Sequence, residues 1–420
     1  MSTPILPEAA RLSVAQTLRT ALALALGAAV SLGLSRFSYA LLLPPMRLDL
    51  GWSYFTAGLM NAVNAAGYLT GALWAPICLQ RWGARRALVW GSVAASALLA
   101  LHAMTVSTWA LACLRGATGV ASAVMFVAGG VLAAGLSTAH DAALEKTQRR
   151  LSAGLILGLY YAGVGLGIVA CAAVLPVVFE SVGAMGAARP QATAGWQWGW
   201  LTLALLGAGA TVPLVLRLAH LPAGLGASAP GQPFPIQRFA FGLAAYFMFG
   251  LGYIGYMTFI VTFLREQDLA ADAVVAFYAL LGVGVMVSPW IWAGHLQRHR
   301  GGQTLSLLSA LLAVATLLPV LVSQAVGAFF SGALFGAVFL SVVASTTALV
   351  RHNLPAAQWT AGISAFTLVF ALGQILGPGL VGLLADVSGG LHAGLAASAV
   401  ILLVGALLAR RQHSLGDLHP

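Results

Sequence analysis

The spacing of apolar runs constrains this chain more than any other feature. The runs cover residues 20–43, 53–79, 86–105, 109–136, 152–178, 196–218, 240–264, 272–296, 302–322, 325–350, 360–385 and 390–410. Helical rise is about 1.5 Å per residue, so each can cross the ~30 Å hydrocarbon core of a bilayer. Composition agrees: 60% of the 420 residues are hydrophobic and 7% charged, against about 25% charged in soluble domains. Only helices and closed barrels satisfy their own backbone in lipid, and runs of this length read as helices. The sequence predicts an all-α membrane protein of twelve transmembrane helices. A soluble enzyme and a disordered chain are excluded. The first run is long enough to span and lacks a small-residue cleavage site, so it reads as a helix, not a signal peptide.

The breaks between runs carry Pro, Gly or charge, as in Pro44-Pro45-Met46-Arg47-Leu48-Asp49 and Arg298-His299-Arg300-Gly301-Gly302. The shortest breaks lie around 105–109 and 322–325. The net charge is +10, but the basic residues form no stripe, which argues against nucleic acid. They fall on one side of the bilayer instead. That side holds Arg81, Arg85, Arg86, Arg149, Arg150, Arg298, Arg300, Arg351, Arg410 and Arg411, while the other holds Arg47, Arg189 and Arg265. By the positive-inside rule both termini are cytoplasmic. The expected location is a bacterial inner membrane.

Residues 220–239, rich in Pro, Gly, Ala and Ser, read as a cytoplasmic linker. They separate an N-terminal six-helix bundle, residues 1–219, from a C-terminal one, residues 240–420. One gapless shift lays Gly33-Leu34 on Gly250-Leu251, Tyr39 on Tyr256, Asp49 on Glu266 and Gly67 on Gly284. The same shift lays Leu79-Gln80-Arg81 on Leu296-Gln297-Arg298 and Gly119 on Gly336. The halves therefore read as pseudo-symmetric copies related about the membrane normal.

Each half has a basic loop after its second helix: Gln80-Arg81-Trp82-Gly83-Ala84-Arg85-Arg86 and Gln297-Arg298-His299-Arg300. The fourth helix carries Arg115-Gly116-Ala117-Thr118-Gly119. Together these resemble the major facilitator superfamily, with its Asp-Arg-x-Gly-Arg-Arg loop and Arg-x-x-x-Gly fourth helix. Here Gln80 replaces the loop Asp, and Ala84 stands where an Arg follows the Gly. The first helix, Gly33-Leu34-Ser35-Arg36-Phe37-Ser38-Tyr39, resembles a poorly characterised bacterial branch of that superfamily. The resemblance implies the major facilitator fold, secondary active transport by alternating access, and Gln80, Arg81, Gly83, Arg85 and Arg298 as gating-loop residues.

Arg36 and Arg115 fall inside helices, in the outer half of the first and the outer third of the fourth. A charge at mid-bilayer costs at least ~2.5–3.5 kcal/mol on insertion scales, so such a residue faces a cavity or bundle interior. Each either binds substrate or holds helices together. None of the ten carboxylates falls at mid-depth, which removes the usual buried proton site and disfavours a cationic substrate. An organic anion, most simply a carboxylate held bidentately, is expected near Arg36. Its own carboxylate could take the coupling proton. Candidate cavity residues are Tyr39, Asn61, Asn64, Tyr68, Tyr160, Tyr161, Tyr253, Tyr256, Tyr278, Phe366, Phe370 and Gln374. The alternatives are an exporter of drug-like or sugar-like molecules, or a lipid flippase on the same fold.

Glycine pairs four apart, Gly154 with Gly158, Gly163 with Gly167, Gly67 with Gly71 and Gly373 with Gly377, suit a close-packed moving interface between halves. Cys78, Cys113 and Cys171 read as buried thiols, and His102, His295 and His392 as solvated or interfacial. No metal-ligand spacing, phosphate loop or nucleophile–base pair occurs. No cofactor is expected, and one chain is sufficient to form the carrier as a monomer.

Overall fold

A computed structural model describes residues 13–143, 153–186, 195–218, 234–322 and 324–415. Lys146, Arg149, Arg150, Arg189 and most of the expected linker lie outside the described residues. Among the described residues there is no strand, and twelve helices are long and apolar enough to cross a membrane. In chain order they are α1 (Val14–Leu50), α2 (Tyr54–Trp82), α3 (Ala84–His102), α4 (Thr108–Ala143), α5 (Ala153–Gly186) and α6 (Gly195–Leu218). A 3₁₀ turn, Ile236–Phe239, leads into α7 (Ala240–Glu266). Then come α8 (Ala271–Arg298), α9 (Gln303–Leu321), α10 (Ala325–Asn353), α11 (Ala356–Ser388) and α12 (Leu391–Arg410). Large apolar side chains such as Leu73, Trp74, Ile77, Trp90 and Phe330 are exposed. Apolar faces inside and outside suit a bundle solvated by lipid.

Pro44 and Pro45 do not break the first helix, as the sequence suggested; α1 runs through them to Leu50. The break is Gly51, whose φ of 63° ends the helix in the left-handed region. The extension puts Arg36 near the middle of a 37-residue span.

Packing is organised as two related sixes. In the first, α2 packs on α4, α3 on α6 and α1 on α5; in the second, α8 packs on α10, α9 on α12 and α7 on α11. The sequence matches have structural counterparts. A Cβ on Gly119 would overlap the Asn64 carbonyl at the α2–α4 crossing, and one on Gly336 would overlap the Leu281 carbonyl at the equivalent α8–α10 crossing. The spaced glycines, however, sit mostly inside each half. Gly163 and Gly167 press on α1, Gly67 and Gly71 on α4, and Gly373 and Gly377 on α7. Gly158 does face the other half, against Pro289 and Trp290. The four-residue spacing thus tightens the two bundles more than the seam between them.

The sixes meet along α2–α11, α5–α8 and the end of α1 against α7. Among the described residues α4 has no comparable interface with the opposite half, and α10 meets it through Phe339, whose ring lies 5.7 Å from that of Phe37. Two further expectations fail. His102 is fully buried, its Nδ1 2.7 Å from the Leu98 carbonyl and its ring stacked on Trp200 at 4.5 Å. Cys113 is exposed and Cys78 half-buried, while Cys171 is buried as expected.

Candidate functional site

The site begins with an irregularity in α1. Residues Ala29–Phe37 form a π-helix nine residues long. Its widened turns show in Ser38 N–H donating to Gly33 O at 3.0 Å and Ser35 Oγ donating to Val30 O at 2.7 Å, both five residues back. Neighbouring helices pull on alternate carbonyls of this stretch. Ser122 Oγ of α4 donates to Ser31 O, and Cys171 Sγ of α5 lies 3.8 Å from Gly33 O. Arg115 Nη1 of α4 donates to Ser35 O at 3.1 Å, and Tyr278 of α8 donates to Phe37 O at 2.5 Å. π-Segments concentrate at functional sites because they turn side chains out of helical register. Arg36 stands in the last turn of this one.

The two intramembrane arginines have different surroundings. Arg115, 1% exposed, donates to Ser35 O and, through Nη2, to Asn61 Oδ1 at 3.1 Å. Its guanidinium lies over the Tyr39 ring at 4.5 Å and the Trp200 ring at 5.9 Å. Arg36, 3% exposed, has no hydrogen-bond partner for Nε or Nη2. Its guanidinium faces the Tyr68 ring at 5.3 Å. Across the seam, Tyr253 of α7 lies within electrostatic range of Arg36 and of Tyr68. Gln374 of α11 donates to the Tyr253 hydroxyl, and its Oε1 is buried without a partner.

The expected cavity residues divide accordingly. Arg36, Tyr68, Tyr253 and Gln374 come together, with Phe370 half-buried and stacked on Tyr253 at 5.7 Å. Tyr161 is 39% exposed and within electrostatic range of Arg351 in the other half. Others serve packing. Tyr39 does not join Arg36; it is buried beneath Arg115 with its hydroxyl on Ala57 O at 2.9 Å. Asn61 bridges the halves through Thr258 Oγ1 at 2.6 Å, and Asn64 donates to Arg115 O at 2.9 Å. Tyr160 donates to Phe126 O, Tyr256 pairs with Ser331 and stacks on Phe335 at 4.1 Å, and Tyr278 ties α8 to α1. Phe366 is buried against Phe239 and Tyr246.

The sequence did not point to Thr258, to Phe339, whose ring stacks on Tyr253 at 6.0 Å, or to the serines of α1 as site-forming. The alternation Ser31, Gly33, Ser35 was the available signal, since small residues let neighbouring donors reach the backbone.

Both mouths of the seam are also defined. On the face that carries few arginines, Glu266 of α7 accepts from Arg47 Nη2 at 3.0 Å and from the Tyr54 hydroxyl at 2.6 Å. Asp386 of α11 accepts from the Tyr54 and Phe55 backbone N–H groups, each at 2.9 Å. A C-terminal-half carboxylate thus caps the α2 helix of the N-terminal half. On the arginine-rich face Gln80, Arg81, Gly83, Arg85 and Arg298 are exposed, and Gly83 turns the α2–α3 loop at φ 78°. The carboxylate contacts above close the arginine-poor face. No metal-ligand cluster occurs among the described residues.

The family model described as "Uncharacterised MFS-type transporter YbfB" matches residues 28–410. No curated protein matches the chain. Among solved structures it resembles an inward-facing bacterial homologue of the human lysosomal transporter Spinster, with TM-score 0.68, 15% identity, and 95% of this chain and 97% of that one covered. It also resembles the nucleoside transporter NupG, with TM-score 0.63, 14% identity and coverages of 94% and 97%. The human organic anion transporter MFSD10 gives TM-score 0.58, 16% identity and coverages of 94% and 99%. Similarity at these identities speaks to the fold alone; the family match spans nearly the whole chain. With twelve helices in two related sixes that a family model spans almost end to end, the chain belongs to the major facilitator superfamily, in its YbfB-type transporter family.

Proposed function

We propose that this secondary transporter carries a small organic anion, held by its carboxylate at Arg36. One observation carries the reading. Arg36 is buried, and its Nε and Nη2 have no partner. Those two nitrogens form one edge of the guanidinium, the edge that a carboxylate engages side-on with two parallel hydrogen bonds. A buried charge left unpaired is costly, and among the described residues no carboxylate lies at mid-span to relieve it. A bound anion removes that cost.

The arginine-rich face is read as cytoplasmic on the positive-inside rule, so the face closed by Glu266 and Asp386 is the outer one of a bacterial inner membrane, with both termini cytoplasmic. Residues 220–239 join the two halves there, and a single chain supplies the whole path. The substrate carboxylate is the group offered for proton coupling.

Uptake of carboxylates into proteoliposomes tests the reading. Arg36→Ala and Arg36→Lys should lower binding by about ten- to a hundred-fold, the scale of a charged hydrogen-bonded contact of ~1.5–3 kcal/mol. Unchanged handling of every anion by both variants would overturn it.

A further inference from the structure

A carboxylate at Arg36 brings a body with it, and the rings around Arg36 show what kind of body fits. On the N-terminal half, the guanidinium faces Tyr68. Beyond it Tyr161 is 39% exposed and packs 6.0 Å from Phe126. Tyr68 is within electrostatic range of both Tyr161 and Tyr253, so the three rings lie near one another across the seam. On the C-terminal half Phe370, half-buried, stacks on Tyr253. Its orientation is fixed from behind. Phe249 stacks on it at 5.3 Å with planes 10° apart, Tyr246 at 4.8 Å and 17°, and Tyr253 at 5.7 Å and 13°. Phe249 and Tyr246 are themselves buried. The result is a preformed ring stack whose last member borders the seam.

The polar inventory is short. Arg36 offers two free donors, and Gln374 one free amide atom on the other wall. Arg115 is held through Nη1 and Nη2 by Ser35 O and Asn61, which leaves only its Nε without a partner and no free edge for a second carboxylate. Arg351 stacks on Trp359 at 4.6 Å at the arginine-rich end of α10. A sugar or nucleoside needs many hydrogen bonds, and a dicarboxylate needs a second cation at depth. One bidentate cation among aromatic faces fits neither.

Building on the carboxylate reading above, we infer that the substrate is an aromatic monocarboxylate. Its carboxylate sits on the Nε/Nη2 edge of Arg36, and its ring lies among Tyr68, Tyr161 and Phe370. Aromatic pairs gain through offset-stacked and edge-to-face geometry, and the parallel stack behind Phe370 holds that geometry before substrate arrives.

The test uses the full-length transporter in detergent, with binding followed by thermal shift and calorimetry. The probes are benzoate, indole-3-acetate, cyclohexanecarboxylate, acetate, succinate and benzamide. At least one of the two aromatic acids should bind ten-fold or more tightly than cyclohexanecarboxylate, acetate and succinate, and benzamide should not compete. Phe370→Leu should weaken the aromatic acid three- to ten-fold and narrow its advantage over cyclohexanecarboxylate. The melting temperature of Phe370→Leu without ligand, unchanged from that of the unaltered protein, controls for folding. If acetate or succinate binds as tightly as the aromatic acids, or Phe370→Leu and Tyr68→Leu leave the preference intact, the aromatic inference fails while the carboxylate reading stands. If benzamide matches benzoate, or no acid binds, the carboxylate reading itself falls.

Discussion

Arg36 and Arg115 stand within spans that are otherwise free of charge at depth, and what their nitrogens touch sets their energetics apart. Arg115 supplies donors to Ser35 O and Asn61 Oδ1 and covers Tyr39. Removing it leaves two buried acceptors bare, at about 1–3 kcal/mol each. Arg36 gives no hydrogen bond to the protein through Nε or Nη2. Removing it deletes a buried charge without stranding a partner. Arg115→Met should therefore lower the melting temperature clearly, while Arg36→Met should leave it unchanged or raise it and abolish anion binding. Thermal denaturation of the two variants without ligand checks this; a larger loss for Arg36→Met would refute the division of labour. The sequence showed both arginines, because an isolated charge in an apolar run is conspicuous. It could not show which was occupied, because Ser35 O is a backbone atom and Asn61 lies on another helix. Tyr39 was misplaced for a related reason. It stands three residues beyond Arg36, which is one turn of an α-helix, but the π-segment between them breaks that register.

At the scale of the element, most helices were legible because a run of twenty apolar residues has no other stable state in lipid. The interior of α1 was not legible. Its π-geometry depends on donors from Ser122, Cys171, Arg115 and Tyr278, which lie far along the chain. Pro44 and Pro45 misled for the opposite reason. Local rules favour a break there, yet the packed helix continues to Gly51. The π-segment carries extra chain relative to an α-helix, so a one-residue deletion inside it can be absorbed by narrowing its turns. The flanking turns would then keep their neighbours. Deleting Leu32 should give a protein that inserts and elutes as the wild type does but no longer responds to carboxylates, because Arg36 turns away from Tyr68. Size-exclusion chromatography with ligand-induced thermal shift measures both properties. A normal ligand response in the deletion would show that the π-geometry does not aim Arg36.

For the whole molecule, the sequence conveyed two halves and a preponderance of charge on one face, but not the conformation. Glu266 and Asp386 were visible only as acids at helix ends. Folded, they become a latch, since each belongs to the C-terminal half and binds the N-terminal one. Asp386 takes the Tyr54 and Phe55 N–H groups while Ser53 takes that of Thr56 at 3.1 Å, so the α2 terminus is capped jointly by its own half and the opposite one. A cap of this kind contributes about 0.5–2 kcal/mol. The Arg47–Glu266 pair is partly exposed, at 22% and 35% for the two side chains, and adds less, perforce screened by salt. Shape reinforces charge, because a Cβ on Gly58 would overlap the Pro378 carbonyl and one on Gly382 the Tyr54 carbonyl. These contacts exist only while the arginine-poor face is closed. Asp386→Asn should therefore shift the balance toward opening that face by up to about ten-fold, the equivalent of ~1.4 kcal/mol. Glu266→Gln should shift it less, and Gly58→Leu more than either. Leu48 and Val387 are 79% and 80% exposed at the two sides of this mouth, so spin labels there can report its width without disturbing packing. Pulsed electron-resonance distances should lengthen in the order Glu266→Gln, Asp386→Asn, Gly58→Leu. Equal distances in all three, with transport intact, would mean that this mouth is held shut by other contacts.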